Sequence, residues 1–150
     1  MANTSAICSS FKQELLQGKH NFASSGGDTF KIALYDSDAT LGASTTDYST
    51  SEEITKTSGT AYTAGGATLT RTGVGLTGTT AFTDFGDVTY SSASFTANAA
   101  LIYNTTTGTS TGTTDAVCAI AFGGDKTASN GTFKIEFPAN DATAAIIRLA

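Results

Sequence analysis

The chain has no tryptophan, one proline, one histidine, one methionine and two cysteines, and only 14% of its residues are Asp, Glu, Lys or Arg. Each scarcity closes off a class of function. With a single histidine, any Ser-His-Asp or Cys-His machinery depends on His20, and no Gly-x-Ser-x-Gly elbow accompanies it. Its ordinary role is that of a helix-end residue. Zinc asks for several His, Cys or carboxylate ligands in register, which one histidine and two distant cysteines do not supply. Cys8 and Cys118 sit in apolar patterns and form no CxxC, so buried reduced thiols are expected and a disulfide scaffold is not. Eight basic residues against thirteen acidic ones give a net charge of −5, without the basic footprint that a phosphate backbone requires, so nucleic acid is not an expected partner. No apolar run approaches the roughly eighteen residues that span a bilayer, and the N-terminus lacks a signal-peptide layout. The expectation is a chain that stays in the cytoplasm where it is made, with no membrane partner.

What is abundant is Thr, Ala, Gly and Ser, so hydroxyls rather than ions must cover the surface. At 150 residues and 15.2 kDa the chain has the length of one domain with one core. Ile7, Phe11 and Leu15, four apart, with Cys8 and Leu16 beside them, predict an amphipathic helix over residues 5–17. Thr4 or Ser5 can cap its start, Gly18 can end it in the left-handed conformation, and Lys19 and His20 suit the negative end of its dipole.

After Gly26-Gly27-Asp28 the period changes to two. Phe30, Ile32 and Leu34 alternate in a half-buried strand over residues 29–35. Further strands are predicted at 52–57, 67–72, 80–90, 93–104, 115–122, 131–137 and 144–149. The most legible hairpin joins Ala116–Phe122 to Thr132–Phe137, with Gly123-Gly124-Asp125-Lys126 and Asn130-Gly131 as its turn residues and Pro138 closing the second arm. Asn104–Thr114 has no apolar anchor and reads as a mobile hairpin tip, and residues 36–50 as a long connection held by Leu41 and Tyr48. The fold class that follows is mainly β: a single-domain antiparallel β-sandwich or jelly roll with one N-terminal amphipathic helix, the helix at 5–17 and the sandwich at 29–150.

No constellation of side chains rises to a catalytic or metal site, so the prediction is a non-enzyme without metal or cofactor. Gly123-Gly124-Asp125-Lys126-Thr127 lacks phosphate-loop spacing and a following helix, and reads as a β-turn. Asp36 with Asp38, or Asp84 with Asp87, could offer oxygens to Ca²⁺, although aspartates commonly serve in turns. Glu136 shares the outward parity of its strand with Lys134, its natural neighbour in an exposed ion pair. Residues 36–60 carry Asp36, Asp38, Asp47, Glu52 and Glu53 against Lys56 alone, an acidic stretch open to a basic partner or to solvent.

Taken together, the Ser5–Gly18 helix, Thr29–Ala39, Tyr62–Gly66, Thr80–Ala97 and Phe122–Pro138 resemble small virion proteins of tailed bacteriophages. Within that group the chain is most similar to the decoration, or cement, proteins that sit as symmetric oligomers on the outer surface of the head and bridge capsomers. The resemblance implies a virion location, the major capsid protein as partner, and self-association, with a homotrimer expected ahead of a homodimer. It spans nearly the whole chain, but no catalytic motif anchors it. Candidate contacts are Ile7, Phe11 and Leu15 on the helix and the loop around Asp36 and Asp38. The same three apolar residues would equally serve to cover an open end of the sandwich. Two other readings stand beside it: a tail, baseplate or adaptor subunit, and a carbohydrate-binding module using exposed tyrosines, which the missing tryptophan disfavours.

Overall fold

A computed structural model describes residues 2–54, 61–106 and 114–150. In chain order its elements are β1 (Ala6–Ile7), α1 (Ser9–Leu16), β2 (Phe30–Tyr35), β3 (Ala67–Thr68), β4 (Arg71–Thr77), β5 (Thr80–Phe85), β6 (Val88–Asn104), β7 (Ala116–Ile135) and β8 (Ile147–Leu149). Every strand pairing is antiparallel, in a five-stranded sheet ordered β1-β7-β6-β2-β3 and a three-stranded sheet ordered β4-β5-β8. The mainly β, sandwich-like class expected from the sequence is the class observed.

The helix is shorter than the apolar spacing predicts. Ala6 and Ile7 pair with Ala119 and Cys118 of β7, and the Cys8 N–H donates to the Val117 carbonyl at 3.0 Å. Backbone groups committed to a sheet cannot turn into a helix, so α1 starts at Ser9 behind an extended Cys8 that caps it without a side-chain bond. Neither Thr4 nor Ser5 caps it. Its end is as predicted: Gly18 has φ +70°, and the N–H groups of Gly18 and Lys19 donate to the carbonyls of Leu15 and Glu14, closing off the last turn.

β2 is buried on both faces rather than one, and its edges are taken by β6 on one side and by β3 and the Tyr35–Glu53 bridge on the other. On one side Phe30 stacks on Phe22 at 4.5 Å and meets Phe85 of β5 at 5.6 Å, which joins the two sheets through one apolar cluster. Two predicted strands are split by crossings between sheets. The 67–72 segment divides at Leu69, buried and donating its N–H to the Phe30 carbonyl, so that β3 and β4 belong to different sheets. The 80–90 segment divides at Gly86 and Asp87 for the same reason. Of the predicted 52–57 strand, Glu53 forms an isolated bridge with Tyr35, and residues 55–57 lie outside the described set.

The predicted hairpin within residues 116–137 is not formed. Residues 116–135 make the single strand β7, which pairs with β6 from Tyr103↔Ala116 to Val88↔Ile135. The glycines and asparagine taken for turns are bulges. Gly123 and Gly124, with φ of +73° and +131°, let β7 loop outward between the pairs Ala99↔Ala121 and Ala97↔Lys126, and Asp125 fastens the excursion by accepting from Asn98 at 2.9 Å. Asn130, at φ +48°, does the same between Phe95↔Ala128 and Ala93↔Gly131, its N–H held by the Ser94 hydroxyl. Positive-φ residues favour bulges as readily as turns, and only the partner strand decides between them. The true hairpin connection is 105–115, of which 107–113 lie outside the described residues, as does most of the loop expected there. The 36–50 connection is anchored as predicted, with Leu41 buried and Tyr48 stacked on Tyr103 at 4.5 Å. Among the described residues no helix is long and apolar enough to cross a membrane.

Candidate functional site

The helix residues proposed as contacts face inward. Phe11 is 1% exposed, and Ile7, which stands on β1, and Leu15 are partly buried against the core. In this arrangement the three close the core, and the outward apolar residue of α1 is Leu16, 92% exposed. His20 follows the helix into the same aromatic pocket, 4.9 Å from the Phe11 ring. Asn104 turns its carbonyl oxygen to the Thr106 N–H, so its amide nitrogen faces His20 Nδ1 at 3.1 Å and Asp28 Oδ2 at 2.8 Å. His20 Nδ1 therefore accepts, and Nε2 carries the proton toward Glu14 Oε2 at 2.7 Å. Both ring nitrogens are taken within a buried network that ties α1 to the end of β6. The histidine holds two segments together and faces no open cleft.

The acidic loop does converge. One carboxylate oxygen from each of Asp36, Asp38 and Glu52 lies within 4.8 Å of the others, Glu52 reaching the group from a residue with φ +60°. Asp36 Oδ1 also accepts the Asp38 N–H, and the Asp36 N–H donates to the Glu52 carbonyl, so turn geometry already accounts for the approach. Asp84 and Asp87 have separate duties. Asp84 is fully buried and accepts the N–H groups of Phe85 and Ile146, and burial pushes its carboxyl above the usual carboxylate range. Exposed Asp87 accepts the Phe137 N–H and pairs with Lys134 at 3.0 Å, which hold its carboxyl low. Lys134 also meets Glu136 at 2.7 Å, the pair that strand parity predicts.

A second carboxylate cluster escapes sequence reading. Glu53 is fully buried, and its oxygens accept the Tyr48 hydroxyl at 2.7 Å, the Tyr62 hydroxyl at 2.6 Å and the Gly65 N–H at 2.7 Å. Tyr62 in turn accepts the Leu34 N–H. Tyr35, Tyr62, Tyr90 and Tyr103 are buried, and Tyr48 is stacked on Tyr103. The tyrosines that a sugar-binding platform would need at the surface are instead the packing and hydrogen-bonding partners of Glu53 and its surroundings.

The surface that stands out is the three-stranded sheet. Leu76, Ala81 and Leu149 form one cross-strand row, and Val74, Thr83 and Ile147 the next, all on one face. Thr83 and Ile147 lie over the core, but the sheet outgrows it: Val74, Leu76 and Leu149 are 64%, 70% and 59% exposed. Residues 72–83 contain no charged side chain. Nearby, Ile120, Phe122, Phe133, Phe137 and Ile146 line an open cleft of about 680 Å³. The predicted 67–72 strand reaches only Arg71 and Thr72 of β4, because Gly73 and Gly75 interrupt the strand pattern, although Val74 and Leu76 keep period two. Phe82 lies over Gly75, where a Cβ would come within 2.4 Å of its ring, and so fills the gap the glycine leaves in the sheet. Compared with known protein families, characterised proteins and solved structures, the chain matches none.

Proposed function

We propose that this chain is a non-catalytic virion subunit of a tailed bacteriophage, one that decorates the outer surface of the head and bridges capsomers by binding the major capsid protein. The carrying observation is the exposed, charge-free apolar overhang of Val74, Leu76 and Leu149 on a sheet whose inner rows are already committed to the core. Contiguous exposed apolar side chains mark protein–protein contact surfaces, and an assembly subunit buries them. The phage assignment rests on the resemblance of the sequence segments named above. Binding of this kind stabilises a shell by mass action, since a ligand of the assembled lattice favours the assembled state.

Purified protein mixed with undecorated expanded heads is expected to bind saturably, at a fixed ratio per capsomer, and to raise the temperature at which heads disrupt. Failure to bind at any ratio removes the decoration reading. Labelling confined to the tail would move the chain to a tail, baseplate or adaptor role.

A further inference from the structure

Between β6 and β7 the pair Ala93↔Gly131 stands alone, with the ladder irregular on both sides of it, toward Tyr90 and toward Phe95. Both strands are distorted there: Ser92 has φ +54° and Asn130 φ +48°. Asn130 is exposed, its N–H donates to the Ser94 hydroxyl, and its side-chain amide has no hydrogen-bond partner among the described residues. Gly131 follows it, at a position where the fold makes no demand for glycine. Its φ is not left-handed, and an added Cβ would meet only the Ser129 carbonyl, at an ordinary 3.7 Å.

We propose that Asn130 is a site of spontaneous covalent modification, at which the folded chain loses an amide and gains a carboxylate. The Gly131 nitrogen attacks the side-chain carbonyl carbon of Asn130. A C–N bond closes a succinimide ring, the bond from that carbon to the amide nitrogen breaks, and ammonia leaves with the proton that Gly131 gives up. Water then opens the ring at either carbonyl, leaving aspartate or isoaspartate, and nothing is oxidised or reduced. Three features select Asn130 among the asparagines. The first is access to the attacking nitrogen: Gly131 has no Cβ to crowd it, whereas Thr4, Phe22, Ala99, Thr105 and Asp141 follow the others. The second is a free side chain. Asn3, Asn98 and Asn104 are held at both oxygen and nitrogen, and the Asn21 oxygen accepts the Ala23 N–H. At Asn140 the nitrogen that would attack, that of Asp141, already donates to the Ala139 carbonyl. The third is a backbone that can turn, because rotation at Asn130 interrupts no continuous run of pairs. The same place accommodates the products. Isoaspartate lengthens the backbone path within a bulge that already carries an extra residue, and aspartate tolerates positive φ as asparagine does.

The test needs no capsid, so its result is independent of the decoration reading. The full chain is incubated folded, at physiological temperature and mildly alkaline pH, with a parallel sample in denaturant, and both are mapped by peptide mass spectrometry. In the folded chain the amide-to-acid mass gain is expected at Asn130 before any other asparagine. Gly131→Ala should slow it at least about tenfold in rate, with unchanged circular dichroism, since the position has room for a methyl group. An Asn130 still intact in the folded chain when the denatured chain has lost its amide there overturns the proposal, because the fold then protects the site. So does another asparagine reacting first, or a Gly131→Ala chain that reacts at the unaltered rate.

Discussion

At Glu53 a carboxylate sits fully buried with no lysine, arginine or histidine nitrogen within ion-pair distance among the described residues. Three donors take the place of a counter-ion: two tyrosine hydroxyls and the Gly65 N–H. Charge-assisted bonds of this type are each worth about 1.5–3 kcal/mol. Gln at this position keeps the shape but replaces one accepting oxygen with a donor and removes the charge that strengthens the other bonds, while Tyr62 already accepts the Leu34 N–H. Glu53→Gln is therefore expected to cost about 2 kcal/mol or more, measured as a shift in urea midpoint without change of slope. An unchanged midpoint would mean the tyrosines rearrange freely, contrary to their packing. From the sequence, Glu53 falls in the strand predicted at 52–57 and in an acidic stretch open to a basic partner or to solvent, and a glutamate beside a glutamate among Thr and Ser carries no mark of burial. Gly66 was equally opaque. A Cβ there would come 1.8 Å from the Ile32 carbonyl, a closeness that only the folded loop creates.

Among the elements, β1 and α1 act together as an N-terminal clasp on β7. Ile7 pairs with Cys118, and Cys8 leads into the helix beneath the 41–43 loop, where Ser9 N–H donates to the Ala43 carbonyl. Both thiols are buried. Burial, and secondarily the charge of Glu14, pushes Cys8 up to about 11, and burial moves Cys118 higher still. A thiol reacts as its thiolate, so both should resist a thiol-specific chromogenic reagent at pH 8 in the native state and titrate as two equivalents in denaturant. Rapid native labelling of either would show that the clasp opens on its own. The strongest period-two signal, in β2, was legible because both its neighbours and its own alternation agree. β7 was misread because its bulge residues are those that turns also use, and the competing partner, β6, precedes it by more than ten residues.

For the whole molecule, the five tyrosines dominate the response to alkali. Burial raises all of them, Tyr90 and Tyr103 to about 12 and Tyr35, Tyr48 and Tyr62 further. In the unfolded chain tyrosine ionises near pH 10. The fold thus prefers the protonated form: the contribution is fully present below about pH 10 and is lost as pH rises toward 12. Thermal midpoints should hold to about pH 9 and then fall steeply, and tyrosinate absorbance should appear together with loss of far-ultraviolet ellipticity. Tyrosinate forming near pH 10 in a still-folded protein would contradict the buried arrangement. Because both sheets share one apolar cluster through Phe30 and Phe85, the loss should be a single transition.

The sequence by itself determined the class of this protein: alternating apolar residues in short runs, scarce charge and one amphipathic segment require strands packed face to face with a short helix at one end. It also determined the stop at Gly18, the anchors Leu41 and Tyr48, the reduced cysteines and the Lys134–Glu136 pair, all local in pattern or parity. Tertiary structure decided the rest: that residues 116–135 form one strand, that Glu53 and the tyrosines lie inside, that Phe11 faces the core, and that Val74, Leu76 and Leu149 do not. The reason is physical. Periodicity specifies which residues share a face, but whether that face meets the core, a partner or water depends on where a sheet ends, and here the β4-β5-β8 sheet ends beyond the core it covers.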